Sequence, residues 1–505
     1  MLRLFATQRG SSSRALPTFA LLPSRSLATK SSPCIQSLPT GLFINNQFVP
    51  SVSGKTFETV DPNTGNVICS VAEAQAEDVD IAVKAAQEAF KGSWSTNPAQ
   101  RAALMHKLAD LVSRDKEELA AIEAFDNGKP YSQALAADLH FTIEHLRYFA
   151  GWADKIDGRL IDLNSNQHAY TKPTPFGVVG QIIPWNFPLL MLAWKISPAL
   201  SAGNTIVLKT SEKTPLSALK LASLAAEAGF PRGVLNILSG FGNVAGEAIA
   251  RHPHIRKVSF TGSTATGQKI MRAAAESNLK KVSLELGGKS PNIVFADADL
   301  DRAVQSCIVG FTFNQGQVCC AGTRVFVQAA VYDKFVEKLK VAVGKVKVGP
   351  SFDEKTAMGP LVDKLQFDRV LGFWSMERRK GPRIGSEGYF VSPTVFTDVK
   401  DSMKIVKEEI FGPVICVLKF ETIEEAIERA NNTEFGLASS IHTENLSTAI
   451  RVSNAIEAGT VWVNSHNQLN AAVPFGGFKQ SGFGSDGGAE AIKEYTQTKA
   501  VFMTL

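Results

Sequence analysis

The strongest constraint on the fold is a regular alternation of apolar, strand-like runs and helical segments between residues 177 and 286. Such alternation is typical of parallel βαβ units, so we predict an α/β fold with a doubly wound sheet. Sheets of this kind bind nucleotides beyond the carboxyl ends of their strands. The predicted strands are 178–183, 205–208, 234–238, 258–260 and 282–286. The predicted helices between them are one that ends at residue 200, then 216–228, 244–251 and 263–275.

The regions on either side of this alternation have patterns of their own. Residues 40–56 predict a short strand pair, and apolar residues at three and four spacing predict helices over 77–93, 98–123 and 130–156. A hairpin signal over 157–174 interrupts these helices. A second α/β region runs from 300 to about 470, and a last strand is expected from 495 to 505. Its predicted strands are 325–327, 390–396, 413–420 and 461–463, with a helix from 332.

Length and composition narrow the class of protein. A chain of 505 residues exceeds a single hydrophobic core, so more than one domain is expected. There is no run of about 18 apolar residues, hence no predicted membrane span. The six cysteines are scattered, with no zinc spacing, which favours a reducing compartment and no metal site.

Residues 1–30 differ from the rest because they are rich in Arg and Ser and contain no acidic residue. This composition predicts a mitochondrial transit peptide, with a disordered basic tail as the alternative. The segment carries all of the formal net charge of +5, so the remainder is about neutral and offers no basic surface for nucleic acid.

Two adjacent cysteines, Cys319 and Cys320, lie between Gly316 and Gly322. A thiolate is a strong nucleophile near neutral pH, and the glycines would let a substrate approach the sulfur. Two buried structural cysteines are the alternative interpretation, because free Cys is among the most buried residue types.

Other polar residues lie at the ends of the predicted strands. Ser263 would cap a helix whose first N–H groups favour a phosphate, although a plain cap is the alternative. Lys209 and Glu212 follow the second strand, where ribose-binding groups lie in dinucleotide folds, but they could also be solvated loop charges. Glu285 is a carboxylate within an apolar strand and could act as a general base, or pair with a cation. Asn186 is held between stiff neighbours and could donate to an oxyanion, or belong to a turn.

Taken together, several motifs closely resemble the aldehyde dehydrogenase superfamily, over nearly the whole chain from residue 42 to about 501. The match looks closest to the mitochondrial and cytosolic NAD-dependent enzymes that oxidise small aliphatic aldehydes. The motifs are Pro184-Trp-Asn-Phe-Pro188, Phe260-Thr-Gly-Ser-Thr264, Leu284-Glu-Leu-Gly-Gly-Lys-Ser290, Gly316-Gln-Val-Cys-Cys320, Glu409-Ile-Phe-Gly-Pro413 and Pro474-Phe-Gly-Gly477.

The resemblance implies a role for each candidate residue. Cys319 would be the nucleophile, Glu285 the general base and Asn186 the oxyanion donor, with a thiohemiacetal and a thioester as intermediates and no metal. The implied NAD-binding residues are Trp185, Lys209, Glu212, Gly262, Ser263, Glu409 and Phe411. The implied aldehyde tunnel is lined by Phe187, Met191, Trp194, Phe313 and Phe475.

The resemblance also implies an organisation: a Rossmann-type NAD domain (31–156 and 175–284), a catalytic domain (285–485), and a small β oligomerisation element (157–174 and 486–505). A homotetramer in the mitochondrial matrix is expected. Two departures stand out. Residues 372–385 are shorter and more basic than in the family, as a deletion or a gene-model error would produce, and Ser485 replaces the usual arginine. The alternative functions are a semialdehyde dehydrogenase, an acylating coenzyme-A-dependent relative, and a catalytically silent structural member of the family.

Overall fold

The computed structural model describes residues 38–164, 166–376 and 387–504, with side chains described outside 374–376. The predicted transit peptide (1–30) and most of the segment 372–385 lie outside the described residues. The strands are β1 (Leu42–Ile44), β2 (Gln47–Val49), β3 (Thr56–Val60), β4 (Val67–Ala72), β5 (Leu160–Asn164), β6 (Gln167–Pro175), β7 (Val178–Ile182), β8 (Thr205–Lys209), β9 (Leu235–Leu238), β10 (Lys257–Thr261), β11 (Lys281–Glu285), β12 (Pro291–Val294), β13 (Arg324–Gln328), β14 (Thr394–Phe396), β15 (Val414–Phe420), β16 (Phe435–Gly436), β17 (Ala438–His442), β18 (Thr460–Val463), β19 (Phe478–Lys479), β20 (Gly482–Phe483) and β21 (Thr496–Thr504).

Helices separate most of these strands. The α-helices are α1 (Ala76–Lys91), α2 (Pro98–Arg114), α3 (Lys116–Asn127), α4 (Tyr131–Gln133), α5 (Leu139–Ala150), α6 (Pro188–Ser201), α7 (Leu216–Ala228), α8 (Glu247–Arg251), α9 (Thr264–Ser277), α10 (Leu300–Thr312), α11 (Tyr332–Val343), α12 (Lys364–Met376), α13 (Lys404–Lys407), α14 (Ile423–Asn431), α15 (Leu446–Ala455) and α16 (Glu490–Glu494). Short 3₁₀ turns are Ser93–Thr96, Phe313–Gly316 and Ala329–Val331, and π turns are Ala134–Asp138 and Gly242–Gly246.

The first large sheet has the strand order β2-β1-β9-β8-β7-β10-β11-β20. Its five central strands, β9 to β11 in this order, pair in parallel, as the alternating pattern predicted. Every residue of β7, β8 and β10 is buried, because helices cover both faces of the sheet. The chain moves from β7 to β8 on one side and later to β10 on the other side. This reversal opens a crevice beyond the carboxyl ends of β7 and β10.

The second large sheet is parallel throughout, in the order β14-β15-β13-β12-β17-β18. Strand β11 ends at the carboxyl edge of the first sheet, and β12 begins the second sheet after five intervening residues. Residues that follow first-sheet strands therefore lie close to residues that precede second-sheet strands. The predicted α/β fold, with a doubly wound sheet and a second α/β region, is confirmed.

A small three-stranded antiparallel sheet, β21-β6-β5, contains the predicted hairpin and the last strand. Its surface is largely solvent-exposed, including apolar side chains that a monomer rarely displays together. Those exposed side chains are Leu160, Ile161, Leu163, Phe502 and Met503.

Some predicted boundaries are wrong. The helix predicted over 98–123 is two helices, because the backbone of Asp115 leaves the helical region (φ −99°, ψ 17°) between α2 and α3. The helix predicted over 130–156 contains a π turn, and α5 ends at residue 150. The strand predicted over 390–396 is reduced to β14, and β12 and β17 were not predicted.

Candidate active site

The two cysteines lie in a loop that connects helix α10 to strand β13. Three consecutive residues in this loop have left-handed backbones: Asn314 (φ 45°), Gln315 (φ 59°) and Gly316 (φ 70°). This tight turn places Cys319 just before β13, at the edge of the second sheet that approaches the first sheet.

The two neighbouring thiols have different surroundings. Cys320 is buried, and its Sγ donates a hydrogen bond to Asn467 Oδ1 at 3.2 Å. Cys319 is only half-buried, so it is the more exposed residue of the pair. The hydrogen bond with the Cys320 side chain and burial raise the pKa of the Cys319 thiol well above its usual value. The thiol therefore needs a base to become a nucleophile in this environment.

Glu285 is the last residue of β11, at the carboxyl end of the first sheet. Its side chain is buried, and neither carboxylate oxygen has a hydrogen-bond partner among the described residues. Burial raises the pKa of Glu285 well above its ordinary value, the Asp486 carboxylate and a negative charge on Cys319 raise it further, and Lys195 lowers it. A buried carboxyl with unoccupied oxygens and a raised pKa has the properties of a general base.

Asn186 follows β7, at the switch point of the first sheet. Its side-chain Nδ2 donates to Gln317 O at 2.9 Å, two residues before Cys319. Its main-chain oxygen accepts hydrogen bonds from Asn314 Nδ2 (2.7 Å) and Lys129 Nζ (3.1 Å). The structure thus brings the Asn186 amide next to the cysteine loop, which is the geometry expected of an oxyanion donor.

An ion pair beside Glu285 was not predicted. Lys195 Nζ lies 2.6 Å from Asp486 Oδ2, and both side chains are buried. Their opposing effects on the pKa of Glu285 make them part of the site's electrostatics. The two residues are 291 positions apart, so no local pattern links them. Lysine inside the apolar pattern of α6 was the one signal available from the sequence.

Two aromatic residues that the resemblance assigned to the cofactor meet at the site. Trp185 and Phe411 pack edge to face, with ring centroids 5.2 Å apart. Phe411 has a left-handed backbone (φ 58°), and its carbonyl accepts a hydrogen bond from Gln366 Nε2 at 2.6 Å. A non-glycine residue in this conformation is held by its surroundings, which fixes the ring position.

Glu409 lies in the same loop as Phe411 and contacts the connection between β11 and β12. Its Oε1 accepts the main-chain N–H of Gly288 at 3.0 Å. Burial raises the pKa of Glu409 to about 7, and the hydrogen bond from Gly288 lowers it. The second acid of the site, which is half-buried, is therefore hydrogen-bonded to protein, unlike Glu285.

The other predicted cofactor residues surround the crevice of the first sheet. Ser263 caps α9 by accepting the N–H of Thr266 at 3.3 Å, so the predicted cap is confirmed. Gly262 comes directly before it, at the end of β10. Lys209, at the end of β8, is buried, and its Nζ lies 3.5 Å from Glu212 Oε2. Burial lowers the pKa of Lys209, and Glu212 raises it.

The five apolar residues assigned to the aldehyde tunnel also lie together. Phe187 and Phe313 are stacked with centroids 5.9 Å apart, and Trp194 meets Phe475 edge to face at 5.3 Å. Met191 belongs to the same hydrophobic cluster, against which Cys319 is partly packed. The walls next to the thiol are therefore apolar and aromatic.

The two glycines beside the cysteines have a role in packing. A side chain at Gly316 would collide with the main-chain carbonyl of Gly412, and Gly316 also has a left-handed backbone. A side chain at Gly322 would meet the ring of His466. These glycines let the cysteine loop pack against neighbouring segments.

The residues that the structure describes contain neither a metal-ligand cluster nor a membrane-spanning helix. No group of three or more His, Cys, Asp or Glu side chains in residues 38–164, 166–376 and 387–504 has the arrangement of a metal site. Within the same ranges, no helix has both the length and the apolar character needed to cross a membrane.

Comparisons with known proteins agree with this geometry. A model of the aldehyde dehydrogenase family matches residues 48–501. An aldehyde dehydrogenase of Emericella nidulans is 55% identical over 475 residues, which cover 92% of this chain and 95% of that protein. The mitochondrial aldehyde dehydrogenase of Rattus norvegicus is 52% identical over 470 residues, which cover 91% of each chain.

Solved structures give the same result. The NAD⁺ complex of an aldehyde dehydrogenase from Bacillus cereus superposes with a TM-score of 0.92 at 50% identity, covering 94% of this chain and 99% of that chain. With a family model matched over most of its length and relatives that share half of its residues, this chain belongs to the aldehyde dehydrogenase family.

Proposed function

We propose that this chain oxidises an aldehyde to a carboxylic acid with NAD⁺, using Cys319 as the nucleophile, Glu285 as the general base and Asn186 as the oxyanion donor. The observation that carries the proposal is Glu285, whose two buried oxygens have no partner among the described residues and whose pKa responds to charge on Cys319. A structural carboxylate would be paired or hydrogen-bonded. An acylating relative would have no use for such a base, because it transfers the acyl group to a thiol and not to water.

The first chemical step is attack by sulfur. The raised pKa of Cys319 keeps the thiol protonated until a base accepts the proton, and the neighbouring Glu285 carboxylate can do so. The developing oxyanion then meets the Asn186 amide and the main-chain N–H of Cys319. A preorganised donor of this kind lowers the barrier by about 3 kcal/mol.

The residues of the crevice fit NAD⁺. The capped start of α9 presents main-chain N–H groups suited to a pyrophosphate, and Glu212 is suited to ribose hydroxyls. Glu409 would hold the second ribose, and Trp185 and Phe411 would border the nicotinamide. When bound, NAD⁺ accepts the hydride that leaves the substrate carbon, which converts the adduct on Cys319 into a thioester. Glu285 must first release the thiol proton to solvent. As a carboxylate again, it takes a proton from water, and the oxygen of that water attacks the thioester. The carboxylic acid is released, and Cys319 leaves as the thiolate.

The lining next to Cys319 favours a small aliphatic aldehyde such as acetaldehyde. Phe187, Met191, Trp194, Phe313 and Phe475 offer apolar contacts and no cation for a distal carboxylate. A semialdehyde would leave its charge unpaired among these side chains.

We further propose the predicted organisation. The NAD domain comprises 31–156 and 175–284, the catalytic domain 285–485, and the oligomerisation element 157–174 and 486–505. The exposed apolar residues of the β21-β6-β5 sheet support a homotetramer built on that element. The composition of residues 1–30 and the similarity to a mitochondrial relative support the mitochondrial matrix as the location.

The test is the variant Cys319→Ser, assayed for NADH formation with acetaldehyde. Turnover is expected to disappear, while NADH binding, measured by fluorescence, stays within threefold of the wild type. Dehydrogenase activity at the wild-type rate in this variant would refute the assignment.

A further inference from the structure

A buried lysine outside the proposed chemistry contacts the main chain of the oxyanion donor. Lys129 follows α3 and is almost fully buried, at 1% exposure. Its Nζ donates to Asp138 Oδ2 at 2.9 Å and to the main-chain oxygen of Asn186 at 3.1 Å. The Nζ also lies 3.9 Å from Glu123 Oε1 and 4.3 Å from the centroid of the Phe187 ring.

Burial of this charge is costly, since an ammonium loses several kcal/mol of hydration in a protein interior. Replacing a buried ion pair by apolar residues is often neutral or stabilising, so an ion pair with Asp138 alone would not require a lysine. The contacts that distinguish Lys129 are those to Asn186 and Phe187, which lie next to each other in the proposed site.

The segment that contains Lys129 also contacts two loops: the one after β7, which carries Asn186, and the cysteine loop. Asn127 Nδ2 donates to Trp185 O at 2.8 Å, directly before Asn186. Gly128, which ends α3 with a left-handed backbone (φ 89°), accepts the side-chain amide of Gln315 at 3.0 Å. Residues 127–129 therefore contact both loops that meet at Cys319.

A second donor shares the same acceptor. Asn314 belongs to the cysteine loop, and its Nδ2 donates to the main-chain oxygen of Asn186 at 2.7 Å. Asn127 Nδ2 is a third and longer donor to this oxygen, at 3.5 Å. Donors that converge on one carbonyl fix the peptide plane that follows Asn186, and this plane sets the direction of the Asn186 side chain toward Gln317.

We propose that Lys129 is a positioning residue: together with Asn314 it clamps the main-chain carbonyl of Asn186 and so keeps the Asn186 amide aimed at the oxyanion formed on Cys319. This inference rests on the proposed role of Asn186. An error of about 1 Å in the placement of such a group can cost about a hundredfold in rate, so loss of the clamp is large enough to measure.

The experiment uses the full chain and removes the carboxylate that pairs with the lysine before the lysine itself, while Glu123, 3.9 Å from Lys129 Nζ, stays unchanged in every variant. Asp138→Asn is the matched control, because it removes the acid but keeps the contact of Lys129 with Asn186. Asp138→Asn/Lys129→Met removes that contact as well. The readout is the stopped-flow rate of the first NADH formed with acetaldehyde, together with the acetaldehyde KM, NADH affinity and thermal stability.

We expect the control to stay within threefold of the wild type, and the double variant to form NADH at least tenfold more slowly than the control with KM changed less than threefold. Adding Asn186→Ala should cost about a hundredfold in the control background but less than threefold in the double variant, because the clamp acts through Asn186. A rate in the double variant within threefold of the control, or full multiplication of the two losses, would overturn the proposal.

Two other outcomes are distinguishable. If Asn186→Ala leaves the rate of the control unchanged, Asn186 is not the oxyanion donor, and both the proposed function of that residue and the clamp are wrong. If the double variant fails to fold, Asn314→Ala replaces it in the same cycle, since it removes the other donor without touching a charge. A rate in Asn314→Ala equal to that of the wild type then overturns the clamp.

Discussion

Replacing Glu285 by glutamine tests the general base directly. The carboxylate makes no hydrogen bond to a described residue through either oxygen, so the amide of Glu285→Gln loses no protein contact. The change removes the ability to accept a proton and alters the side-chain volume very little. The effect should therefore fall on the chemistry and not on the fold.

The size of the effect follows from the role. General base catalysis contributes about 10²–10⁴ in rate, which is about 3–5 kcal/mol of barrier. We expect kcat for acetaldehyde oxidation to fall by that factor, with NADH affinity within threefold of the wild type. Glu409→Gln is the comparison variant, because Glu409 is also an acid with a raised pKa but is half-buried and hydrogen-bonded to Gly288. In that control, NADH affinity should weaken more than kcat.

The melting temperature of Glu285→Gln gives a second test, because it reports on the raised pKa of Glu285. The folded-state pKa of Glu285 lies above the unfolded value of about 4.3, so the folded protein holds the proton more tightly. The stability contributed by the protonated Glu285 side chain is fully present below the unfolded pKa of about 4.3, and it is lost as pH rises toward the folded pKa. The melting temperature of Glu285→Gln relative to the wild type should therefore increase from pH 4.5 to pH 8. A kcat within threefold of the wild type, or a melting difference that shrinks over this range, would contradict the reasoning.

Two more substitutions probe the nucleophile and the cofactor. Cys320→Ala removes the hydrogen bond that most raises the pKa of Cys319. The rate at which iodoacetamide alkylates Cys319, measured against pH, should therefore have its midpoint at a lower pH than in the wild type. An unchanged midpoint would show that the hydrogen bond does not raise this pKa. Glu212→Gln removes the charge that would repel a 2′-phosphate, so kcat/KM for NADP⁺ relative to NAD⁺ should rise. The rise should be about tenfold, because solvent screening limits an interaction at this half-exposed position. Steady-state kinetics with both cofactors measures this ratio, and a constant ratio would show that Glu212 does not belong to the cofactor site.

The strands of the first sheet could be predicted because burial on both faces leaves an uninterrupted apolar run. The run that became β8 was predicted to within one residue, and α7 was predicted at both ends. Helix α7 ends at Gly229 in a left-handed conformation, a stop signal that the sequence states directly.

Other features have no local signal. Strand β17 is Ala-Ser-Ser-Ile-His, which lacks an apolar run and forms a strand because its neighbours β12 and β18 pair with it. The break between α2 and α3 at Asp115 involves neither proline nor glycine. In such places, tertiary contacts override the intrinsic preference of the segment.

In the candidate site too, some features have a local sequence signal and others do not. The motifs identified Cys319, Glu285 and Asn186 because each lies at the end or beginning of a strand in a distinctive run of residues. The Lys195–Asp486 pair and the clamp of Lys129 and Asn314 on Asn186 join distant parts of the chain. Pairing of this kind is a property of the folded topology, and composition or periodicity carries no information about it.

The pairing of β20 with β11 has a consequence for biosynthesis. Strand β11, which ends in Glu285, has β10 on one side and residues 482–483 on the other, with Glu285 opposite Gly482. A ribosome must therefore add about two hundred more residues after the base has emerged before that edge of the sheet is covered. Until then the nascent chain displays an open strand edge that other chains can join, so a segment made about two hundred residues later protects the strand of the proposed base from aggregation.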